Sequence, residues 1–415
     1  MTNKITIIGA GVIGAATALT LQQRGHDVLL LDRERPCAGA SFGNAGAIVN
    51  GSCVPTATEG IFFDAIKMLS QSNSPLSIRP SYLPTISPWL LRFIWQSRSS
   101  LVYKNAVNLH ALSQHAVQTW RKLTDNTTLS QLFNAKGWLK IYQSDQSFNG
   151  TLSSRKLFDQ IGTKYQCLSA AEIHDLEPHL AHTFKHGFFQ QDSLNIKDPQ
   201  SLVQGMVDLL VNRGGQYKKF DVKSIQDCNG VIQLKGKSAD LLSHKVVIAT
   251  GAWSRVLAKQ FGDDIPLETE RGYHLMLPES TQTLLSRPVV NGDNDFVLSP
   301  MNKGIRMTSQ IELAGLNTAP NFNRIRNLLP LAKQMLPNIE TQEESIWLGH
   351  RPSLPDSLPV LGHSTKSKNV IYAFGHQHLG MTLAAITGDI IADLLGNKEP
   401  KVSVFPYRVN RFSIL

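Results

Sequence analysis

ITIIGAGVIGAATALTLQQRGHDVLLLD, residues 5–32, is the stretch that decides the fold class of this chain. Its apolar run Ile5–Ile8 predicts a buried strand. Val12–Gln23 predicts a helix that ends before Gly25, a residue type that readily adopts a left-handed helix cap. Val28–Leu31 predicts a second strand. A strand, a helix and a strand joined in this order form a βαβ unit with parallel strands, so we expect an α/β fold built on a parallel sheet.

The turn between the first strand and the helix carries a nucleotide-binding pattern. Gly9, Gly11 and Gly14 fit GxGxxG. The first glycine permits a tight turn, the second lets the backbone approach a pyrophosphate, and the third lets helix and strand pack closely. At the helix start, Val12 and Ile13 offer free N–H groups and the positive end of the helix dipole to the phosphates. The sequence therefore predicts a dinucleotide site here.

Asp32 ends the second predicted strand, 18 residues after Gly14. An acidic residue at this spacing accepts hydrogen bonds from the ribose hydroxyls of the adenosine. Arg33 and Arg35 follow it, and they either contact the nucleotide, as at a 2′-phosphate, or lie in solvent. We count Asp32 and Arg33 among the cofactor-binding candidates.

Two later segments favour FAD over NAD. KVVIATG, residues 245–251, predicts a further buried strand that ends in glycine, and NVIYAFG, residues 369–375, predicts another strand with a helix beyond it. A nucleotide fold that is completed only near the end of the chain suits a long cofactor, and no other GxGxxG occurs for a second nucleotide. The cofactor-binding candidates in these segments are Thr250, Gly251, Trp253, Gly375, Gly380, Met381 and Thr382.

Length and composition restrict the class of protein. The 415 residues suit two interlocked domains, and the formal net charge is +9. The basic residues form no long block, which argues against nucleic acid as a partner and leaves an anionic ligand or membrane surface open. The four cysteines show no CxxC pair and no zinc-ligand spacing, so we expect no disulfide framework, no metal site and a reducing compartment.

The chain start and the hydropathy pattern bear on location. MTNK, residues 1–4, runs directly into the first strand and leaves no room for a signal peptide. No uninterrupted apolar run approaches the ~20 residues that a membrane-spanning helix needs. We therefore expect a cytoplasmic protein.

The remaining segments predict a second domain. Residues 271–310 are rich in β-forming residues, which favours a substrate-binding domain with an antiparallel sheet. Further elements are predicted as a strand over 137–142 and helices over 101–124, 199–213 and 321–336, with a capping box formed by Ser169 and Glu172. We assign 1–90, 155–258 and 340–415 to a discontinuous, Rossmann-like FAD-binding domain, and 91–154 and 259–339 to the substrate-binding domain.

Five segments carry a resemblance to a known family, and they span nearly the whole chain in that family's order. The chain resembles the D-amino acid oxidase superfamily of FAD-dependent oxidoreductases, most closely its branch of bacterial D-amino acid dehydrogenases. The Gly-x-Arg-Pro segment is specific to the superfamily, and SFGNAG is similar to that branch. The segments are IIGAGVIG (7–14), SFGNAG (41–46), ATGAWS (249–254), GHRPSLPD with PVLG (349–356 and 359–362) and GHQHLG (375–380).

The resemblance implies an activity. It implies non-covalent FAD, hydride transfer from the substrate α-carbon to flavin N5 and hydrolysis of the product imine, with electrons passed to a quinone or another carrier. The expected substrate is a D-amino acid, including the proline or hydroxyproline type. Alternatives are a glycine- or sarcosine-type amine oxidase, an NAD-dependent dehydrogenase and a non-catalytic flavin-binding subunit of a larger complex. No covalent attachment pattern is present, although His376, His378 and Cys53 remain open.

The resemblance also suggests which side chains contact the substrate. Arg351 occupies the place of the family's carboxylate-binding arginine, and a planar guanidinium is well suited to a carboxylate. A structural arginine joining two strands is the alternative. Tyr273 either offers its hydroxyl to the same carboxylate or lies in the core. His350 and His274 flank these positions, as pocket residues or as ordinary histidines.

A second group of candidates surrounds the flavin. His376 and His378 lie in the turn before the last helix, and we expect one of them to contact flavin or substrate. The N–H groups at the start of that helix, after Gly380, would stabilise negative charge near flavin N1. The loop residues expected along the flavin ring or ribityl chain are Ser41, Asn44, Ala45 and Gly46.

The apolar stretch Pro88–Trp95 has two interpretations. It is similar to a segment of the dehydrogenase branch, whose members often deliver electrons to membrane quinones. With Arg92 and Arg98 it would contact the inner face of the membrane as a peripheral element. The alternative is a buried helix that covers the pocket, because the stretch is apolar on nearly all sides.

Overall fold

The fold is taken from a computed structural model that describes residues 4–61, 75–237 and 239–412. The strands in chain order are β1 (Ile5–Ile8), β2 (Val28–Asp32), β3 (Ala47–Val49), β4 (Leu76–Ile78), β5 (Phe133–Asn134), β6 (Trp138–Tyr142), β7 (Gln166–Ser169), β8 (His186–Gln190), β9 (Ser193–Ile196), β10 (Gln216–Lys219), β11 (Ser224–Cys228), β12 (Val231–Lys235), β13 (Asp240–Ser243), β14 (Lys245–Ile248), β15 (Glu268–Met276), β16 (Val289–Asn291), β17 (Phe296–Met301), β18 (Gly304–Leu313), β19 (Ser345–Ser353), β20 (Val360–His363) and β21 (Val370–Phe374). The α-helices are α1 (Val12–Gln23), α2 (Leu83–Gln96), α3 (Ser99–Ser113), α4 (Ala116–Thr124), α5 (Asp145–Asn149), α6 (Leu152–Ile161), α7 (Ala170–Leu176), α8 (Pro199–Asn212), α9 (Ser254–Ala258), α10 (Asn323–Arg326), α11 (Leu329–Met335) and α12 (Gly380–Leu395).

The first sheet contains the predicted βαβ unit. Its order is β10-β2-β1-β14-β21-β20, and all neighbours are parallel except β20, which runs antiparallel at one edge. The central pair therefore joins the first strand of the chain to β14, and β21 lies beside β14. The prediction that the nucleotide fold is completed by the last segment is confirmed by this order.

Both faces of this sheet are covered, as its continuous apolar strands require. On one face, Ile7 and Leu30 belong to a core shared with α1, α8 and α12. On the other face, Ile8 and Leu31 pack with the small antiparallel sheet β11-β12-β13. Helix α12 approaches α1 closely at Gly388, where an added Cβ would lie 3.1 Å from a backbone oxygen of α1.

A second, nine-stranded sheet forms the opposite side of the molecule. Its path is β19-β15-β18-β17-β16-β6-β8-β7, with β4 paired to β18, and only the β16–β6 and β18–β4 pairs are parallel. The predicted second antiparallel sheet is present. This sheet also contains β7, β8 and β19, which lie in the ranges that the sequence analysis assigns to the FAD-binding domain. The domain limits drawn from the sequence remain a prediction.

Most predicted elements have the expected limits, and two predicted helices are divided. The capping box of Ser169 and Glu172 is confirmed. The helix predicted over 101–124 is two helices, because the Val117 N–H at the start of α4 donates to the Asn50 side chain at 3.0 Å. The segment 321–336 likewise divides into α10 and α11. Local sequence patterns cannot predict this helix start, because the hydrogen-bond acceptor lies 67 residues earlier in the chain.

Among the residues that the structure describes, one helix is long and apolar enough to resemble a membrane span by length and composition alone. Gln377–Leu395 has a mean hydropathy of 1.3 in its best window, and 72% of that window is buried inside the protein. It contacts α1, and its Met381 carbonyl accepts a hydrogen bond from the Trp120 indole at 2.8 Å. It is a core helix of the first sheet's helical layer.

Helix α2 contains the apolar stretch Pro88–Trp95. Ile86 and Trp89 are buried, whereas Leu91 is 69% and Trp95 51% exposed. The interpretation as a helix buried on all sides is therefore wrong: α2 has one buried face and one exposed apolar face.

Candidate functional site

A cavity of about 760 Å³ lies where the carboxyl ends of the parallel strands meet one face of the nine-stranded sheet. This is the edge at which α/β sheets bind nucleotides. The structure brings nearly all of the predicted site residues to this one cavity. Those that line it are Gly9, Gly11, Val12, Ile13, Asp32, Arg33, Ser41, Asn44, Ala45, Thr250, Gly251, Trp253, Tyr273, His350, Arg351, Gly375, His376, His378, Gly380, Met381 and Thr382.

The glycine-rich turn has the conformation that its sequence requires. Gly9 adopts φ +109°, and a Cβ there would lie 2.4 Å from the Ala249 carbonyl oxygen. A Cβ on Gly14 would lie 1.8 Å from the Gly9 carbonyl oxygen, so this position determines helix–strand packing and does not itself line the cavity. A Cβ on Gly11 would meet only the Ser41 hydroxyl, at 3.2 Å. Gly11 therefore presents open backbone to the cavity.

Asp32 is fixed at the end of β2 by two backbone N–H groups. Its carboxylate accepts from Ala10 at 2.6 Å and from Glu34 at 2.9 Å. Burial raises the pKa of Asp32, and these two hydrogen bonds oppose that effect. A carboxylate has about four acceptor positions, so capacity remains for ribose hydroxyls. Next to it, the Arg33 guanidinium lies 4.2 Å from the centre of the Trp253 ring.

The SFGNAG loop forms one wall of the cavity, and its carbonyl groups are held from two sides. Within the loop, the Asn44 amide donates to the Ser41 carbonyl at 2.6 Å and accepts from Gly46 at 2.7 Å. Gly46 has φ +66°, and a Cβ there would lie 2.2 Å from a β9 carbonyl, so its role is to pack this loop. The Ser41 hydroxyl accepts the N–H of Val12 at 2.8 Å and thereby joins loop and helix.

Two side chains of the nine-stranded sheet hold the same loop. Arg306 donates to the Phe42 and Asn44 carbonyls at 3.0 and 2.9 Å. His274 lies 3.1 Å from the Gly43 carbonyl. Burial lowers the pKa of Arg306 to about 10 and that of His274 to about 3, so Arg306 is charged and His274 neutral at pH 7. Sequence analysis missed Arg306, because no local signal links it to a loop 262 residues earlier.

Sheet register determines which side chains of β15 and β19 face the cavity. Glu270 is paired with Arg351 and Gly272 with Gly349, and opposite residues in an antiparallel pair lie on the same face. The guanidinium of Arg351 lies over Gly272, where a Cβ would be 2.2 Å from it. It donates to the Gln310 carbonyl at 2.9 Å. The guanidinium is thus held from one side at the cavity wall, and burial lowers its pKa while Glu270 opposes this.

Tyr273 requires a correction, because its hydroxyl does not join Arg351. Successive side chains of a strand alternate between faces, so Tyr273 is directed to the face opposite that of Glu270. Its ring belongs to the core of the second sheet, and its hydroxyl donates to Glu312 at 2.6 Å. With its one proton engaged there, the hydroxyl cannot donate to a substrate carboxylate.

His350 directly precedes Arg351 on β19 and is therefore directed to the opposite face of the strand. Its ring packs edge-on against Trp253 at 5.5 Å between centroids, and Nδ1 lies 3.2 Å from the Thr269 hydroxyl. Burial, with the charges of Arg271 and Arg33, lowers its pKa to about 4. His350 therefore borders the cavity as a neutral side chain.

The turn between β21 and α12 places two further histidines at the cavity. His376 is 3% exposed, its Nε2 lies 2.9 Å from the Thr387 hydroxyl, and its buried Nδ1 has no hydrogen-bond partner within the described residues. The side chain of His378 is open to the cavity. Loss of hydration inside the protein lowers the pKa of His376 to about 3 and that of His378 to about 4, and the charge of Arg351 adds to the shift of His378. Both are neutral at pH 7.

These residues fit FAD. The Gly9–Gly14 turn, the Asp32 carboxylate at the cavity and the N–H groups at the start of α12 are the parts that would hold a dinucleotide. The partnerless Nδ1 of His376 is a buried polar atom that a ligand in the cavity would satisfy. Cys53 is fully buried beside Thr163 and does not line the cavity. Among the residues with described positions, no group of three His, Cys, Asp or Glu side chains is placed to hold a metal ion.

Comparison with known proteins agrees with this geometry. Residues 4–394 match the family described as FAD dependent oxidoreductase. The chain is 32% identical to a D-amino-acid oxidase of Bradyrhizobium diazoefficiens over 98% of both chains, and 27% identical to a D-amino acid dehydrogenase of Vibrio vulnificus over 95% of this chain and 96% of that one. Its fold is similar to that of glycine oxidase from Geobacillus kaustophilus, with a TM-score of 0.76, 21% identity and 99% of both chains covered. The chain therefore belongs to the family of FAD-dependent oxidoreductases, and FAD is its cofactor.

Proposed function

We propose that this enzyme catalyses the oxidative deamination of a D-amino acid. The observation that carries the proposal is the guanidinium of Arg351, held at the wall of the FAD cavity by Gln310 and placed over Gly272. When bound, FAD accepts a hydride from the substrate α-carbon. The relatives that this chain matches over nearly its full length act, by their names, on D-amino acids.

Arg351 supplies the orientation that this reaction needs. One of its terminal nitrogens donates to Gln310, and the rest of the fork remains for a carboxylate. A carboxylate held there fixes the α-carbon relative to the cofactor, and such positioning contributes several kcal/mol to lowering a barrier. The neutral histidines His376 and His378 add no second positive charge beside it.

The substrate is tested by product analysis. The purified enzyme is supplied with an artificial electron acceptor and a panel of D- and L-amino acids, both enantiomers of proline and hydroxyproline, glycine and sarcosine. We expect oxo acid and ammonia, or the cyclic imine from proline analogues, only from D-enantiomers. Turnover of glycine or sarcosine alone would replace the proposal with a glycine-type amine oxidase.

We further propose that the electrons pass to a quinone at an anionic membrane surface. Helix α2 exposes Leu83, Leu91 and Trp95, and the Arg98 guanidinium lies 3.4 Å from the centre of the Trp95 ring. Between Asp64 and Asp125 the sequence carries seven Lys or Arg residues and no Asp or Glu. An apolar helix face in a basic, acid-free region suits an anionic lipid surface.

Vesicle sedimentation tests this contact. We expect the enzyme to sediment with vesicles that contain anionic lipid and to remain in solution with neutral ones, and Leu91→Ser to reduce the bound fraction. Leu242→Ser is the matched control, since Leu242 is 68% exposed on β13, away from α2. Equal loss in both variants, or no sedimentation of the unmodified enzyme, would contradict the membrane contact. Faster turnover with a short-chain quinone than with oxygen would support the acceptor.

A further inference from the structure

Glu270 is a buried carboxylate at the cavity that has no role in the proposed reaction as described above. It lines the FAD cavity and is only 5% exposed. Strand register places it directly opposite Arg351 on the cavity-facing side of the β15–β19 pair. A buried carboxylate beside a substrate-binding arginine is therefore part of the same electrostatic site.

The two charges do not form a close ion pair. Within the described part of the chain, buried pairs such as Arg271–Glu312 and Arg287–Glu177 have N–O distances of 3.1 and 2.6 Å, whereas Glu270 and Arg351 are not joined within 4.0 Å. The guanidinium of Arg351 is instead held over Gly272 by the Gln310 carbonyl. The two groups thus interact through space across the cavity wall, and the guanidinium remains free for another anion.

The electrostatic balance of this pair changes when a carboxylate binds. Burial raises the pKa of Glu270, and the charge of Arg351 and, after it, the Ser353 side chain oppose that rise. A ligand carboxylate on Arg351 would add a second negative charge in a region of low dielectric and would neutralise the cation that favours ionised Glu270. Both effects favour the protonated form of Glu270 in the complex.

We propose, building on the proposed function, that Glu270 is the titrating counter-charge of Arg351, and that it takes up one proton from solvent when a substrate carboxylate binds. Glu270 is a positioning residue in this role. It neutralises Arg351 in the free enzyme and yields that function to the substrate. The step is a proton transfer in which the O–H bond of Glu270 forms as a hydronium ion or buffer acid gives up its proton.

The other ionisable groups around Glu270 do not explain such a proton uptake. On the same strand and face, the Glu268 carboxylate accepts from the Tyr82 hydroxyl at 2.9 Å. On the next strand, Glu312 is on the opposite face, bonded to Tyr273. Asp295, which directly precedes β17, also lines the cavity, and burial raises its pKa while the charge of Lys140 opposes that rise, but it lies outside the β15–β19 pair that carries Arg351. The histidines that line the cavity have pKa values of about 3 to 4, so they remain neutral above roughly pH 5.

Propionate, a carboxylate without an amine, is the probe. Its dissociation constant for the FAD-loaded enzyme is measured from the flavin absorption change between about pH 5 and 9, and proton uptake by calorimetry in buffers of different ionisation enthalpy. We expect the dissociation constant to rise by up to about tenfold per pH unit as Glu270 ionises in the free enzyme, with uptake of up to one proton in the same range.

Two variants distinguish Glu270 from its neighbour. Glu270→Gln should flatten the pH dependence, abolish the proton uptake and keep propionate binding tight at high pH. Glu268→Gln, on the same face of the same strand, should retain the unmodified profile. Because the key profile is measured on the unmodified enzyme, the inference stays testable even if a variant fails to fold.

The outcomes separate this inference from the proposed function. Propionate binding without a pH slope or proton uptake in the unmodified enzyme would overturn the role of Glu270 and leave Arg351 as a carboxylate site. A full slope retained in Glu270→Gln would also overturn it. Absence of propionate binding at every pH would overturn the carboxylate site itself, and the inference with it.

Discussion

Arg351 on β19 is paired with Glu270 on β15, three residues before Tyr273. This odd spacing places Arg351 and Tyr273 on opposite faces of the sheet and decides their roles. Glu270, opposite Arg351, faces the cavity, and Tyr273 therefore faces the core. The sequence-based choice of Arg351 agrees with its position at the cavity wall, whereas the hydroxyl of Tyr273 is bonded to Glu312 in the core and not directed to Arg351. The alternation of side chains in TERGYH, residues 269–274, could have predicted this difference. Glu270 and Gly272 share one face of the strand, so Tyr273 must lie on the other.

Replacing Arg351 should weaken substrate binding. A hydrogen bond to a charged group contributes about 1.5–3 kcal/mol, so Arg351→Leu should raise the Michaelis constant by roughly 10- to 100-fold. Arg351→Lys should recover only part of this, because an ammonium cannot form the planar fork. Tyr273→Phe is the control: it should lower the free energy of unfolding by about 1 kcal/mol and leave the Michaelis constant unchanged. Steady-state kinetics with the preferred D-amino acid measure both. An unchanged constant in Arg351→Leu would remove Arg351 from the site.

The buried histidines should make the fold sensitive to acid. The pKa of His376 falls from 6.5 in the unfolded chain to about 3 in the folded protein. The unfolded chain therefore binds more protons between these pH values, and the free energy of unfolding falls as pH falls through this window. One such group contributes up to about 1.4 kcal/mol per pH unit. Above pH 6.5 both states are neutral and the contribution is constant.

Denaturant unfolding at a series of pH values measures this slope. His376→Gln should reduce it, because glutamine does not titrate, whereas the same substitution at the exposed His179 should not. An equal slope in all three proteins between pH 6.5 and 4 would show that His376 is not held neutral by the fold.

Within the elements, the glycine-rich turn distinguishes packing from ligand contact. In Gly14→Ala the new Cβ would lie 1.8 Å from a backbone oxygen of the turn, so α1 must move from β1, at a cost of roughly 1–3 kcal/mol or more. In Gly11→Ala it meets only a serine hydroxyl at 3.2 Å, so the fold should survive while the pyrophosphate loses its close approach. Thermal unfolding of the FAD-free proteins should separate the two variants, and FAD titration should find both weakened. Equal thermal stability in the two would contradict the packing role of Gly14.

The SFGNAG loop should depend on the arginine that holds it. Arg306→Met removes both hydrogen bonds to the loop carbonyls, and we expect the dissociation constant of FAD to rise at least about tenfold, equivalent to about 1.4 kcal/mol. Quenching of flavin fluorescence on binding measures it. Arg213→Met, at an exposed arginine, should bind FAD as the unmodified protein does. FAD binding that is equal in both variants would show that the loop holds its shape without Arg306.

Local signals predicted elements far better than the contacts between them. The limits of α1, the βαβ unit and the capping box follow from periodicity, glycine and capping residues that lie within a few positions of one another. The division of 101–124 and the attachment of the SFGNAG loop depend on Asn50 and Arg306, which are distant in sequence from what they hold. Such contacts are set by the packed fold and leave no mark in any short segment.

For the whole molecule, topology explains why the site needs both ends of the chain. The order of the first sheet places β1 beside β14 and β21 next, so the GxGxxG turn and the start of α12 reach the same edge. The nine-stranded sheet closes the cavity from the other side with Arg351 and Glu270. The glycine-rich turn expected to hold FAD and the proposed carboxylate site at Arg351 therefore belong to different sheets, and the proposed reaction would place the reacting carbon between them.

The most direct test of D-amino acid oxidation is the loss of the yellow flavin absorption on anaerobic mixing with substrate. The purified, FAD-loaded enzyme is mixed in separate experiments with D- and L-amino acids, both enantiomers of proline and hydroxyproline, glycine and sarcosine. We predict rapid bleaching by one or more D-enantiomers and none by the matching L-enantiomers. Bleaching by L-enantiomers alone, or no bleaching by any compound while FAD stays bound, would contradict the account.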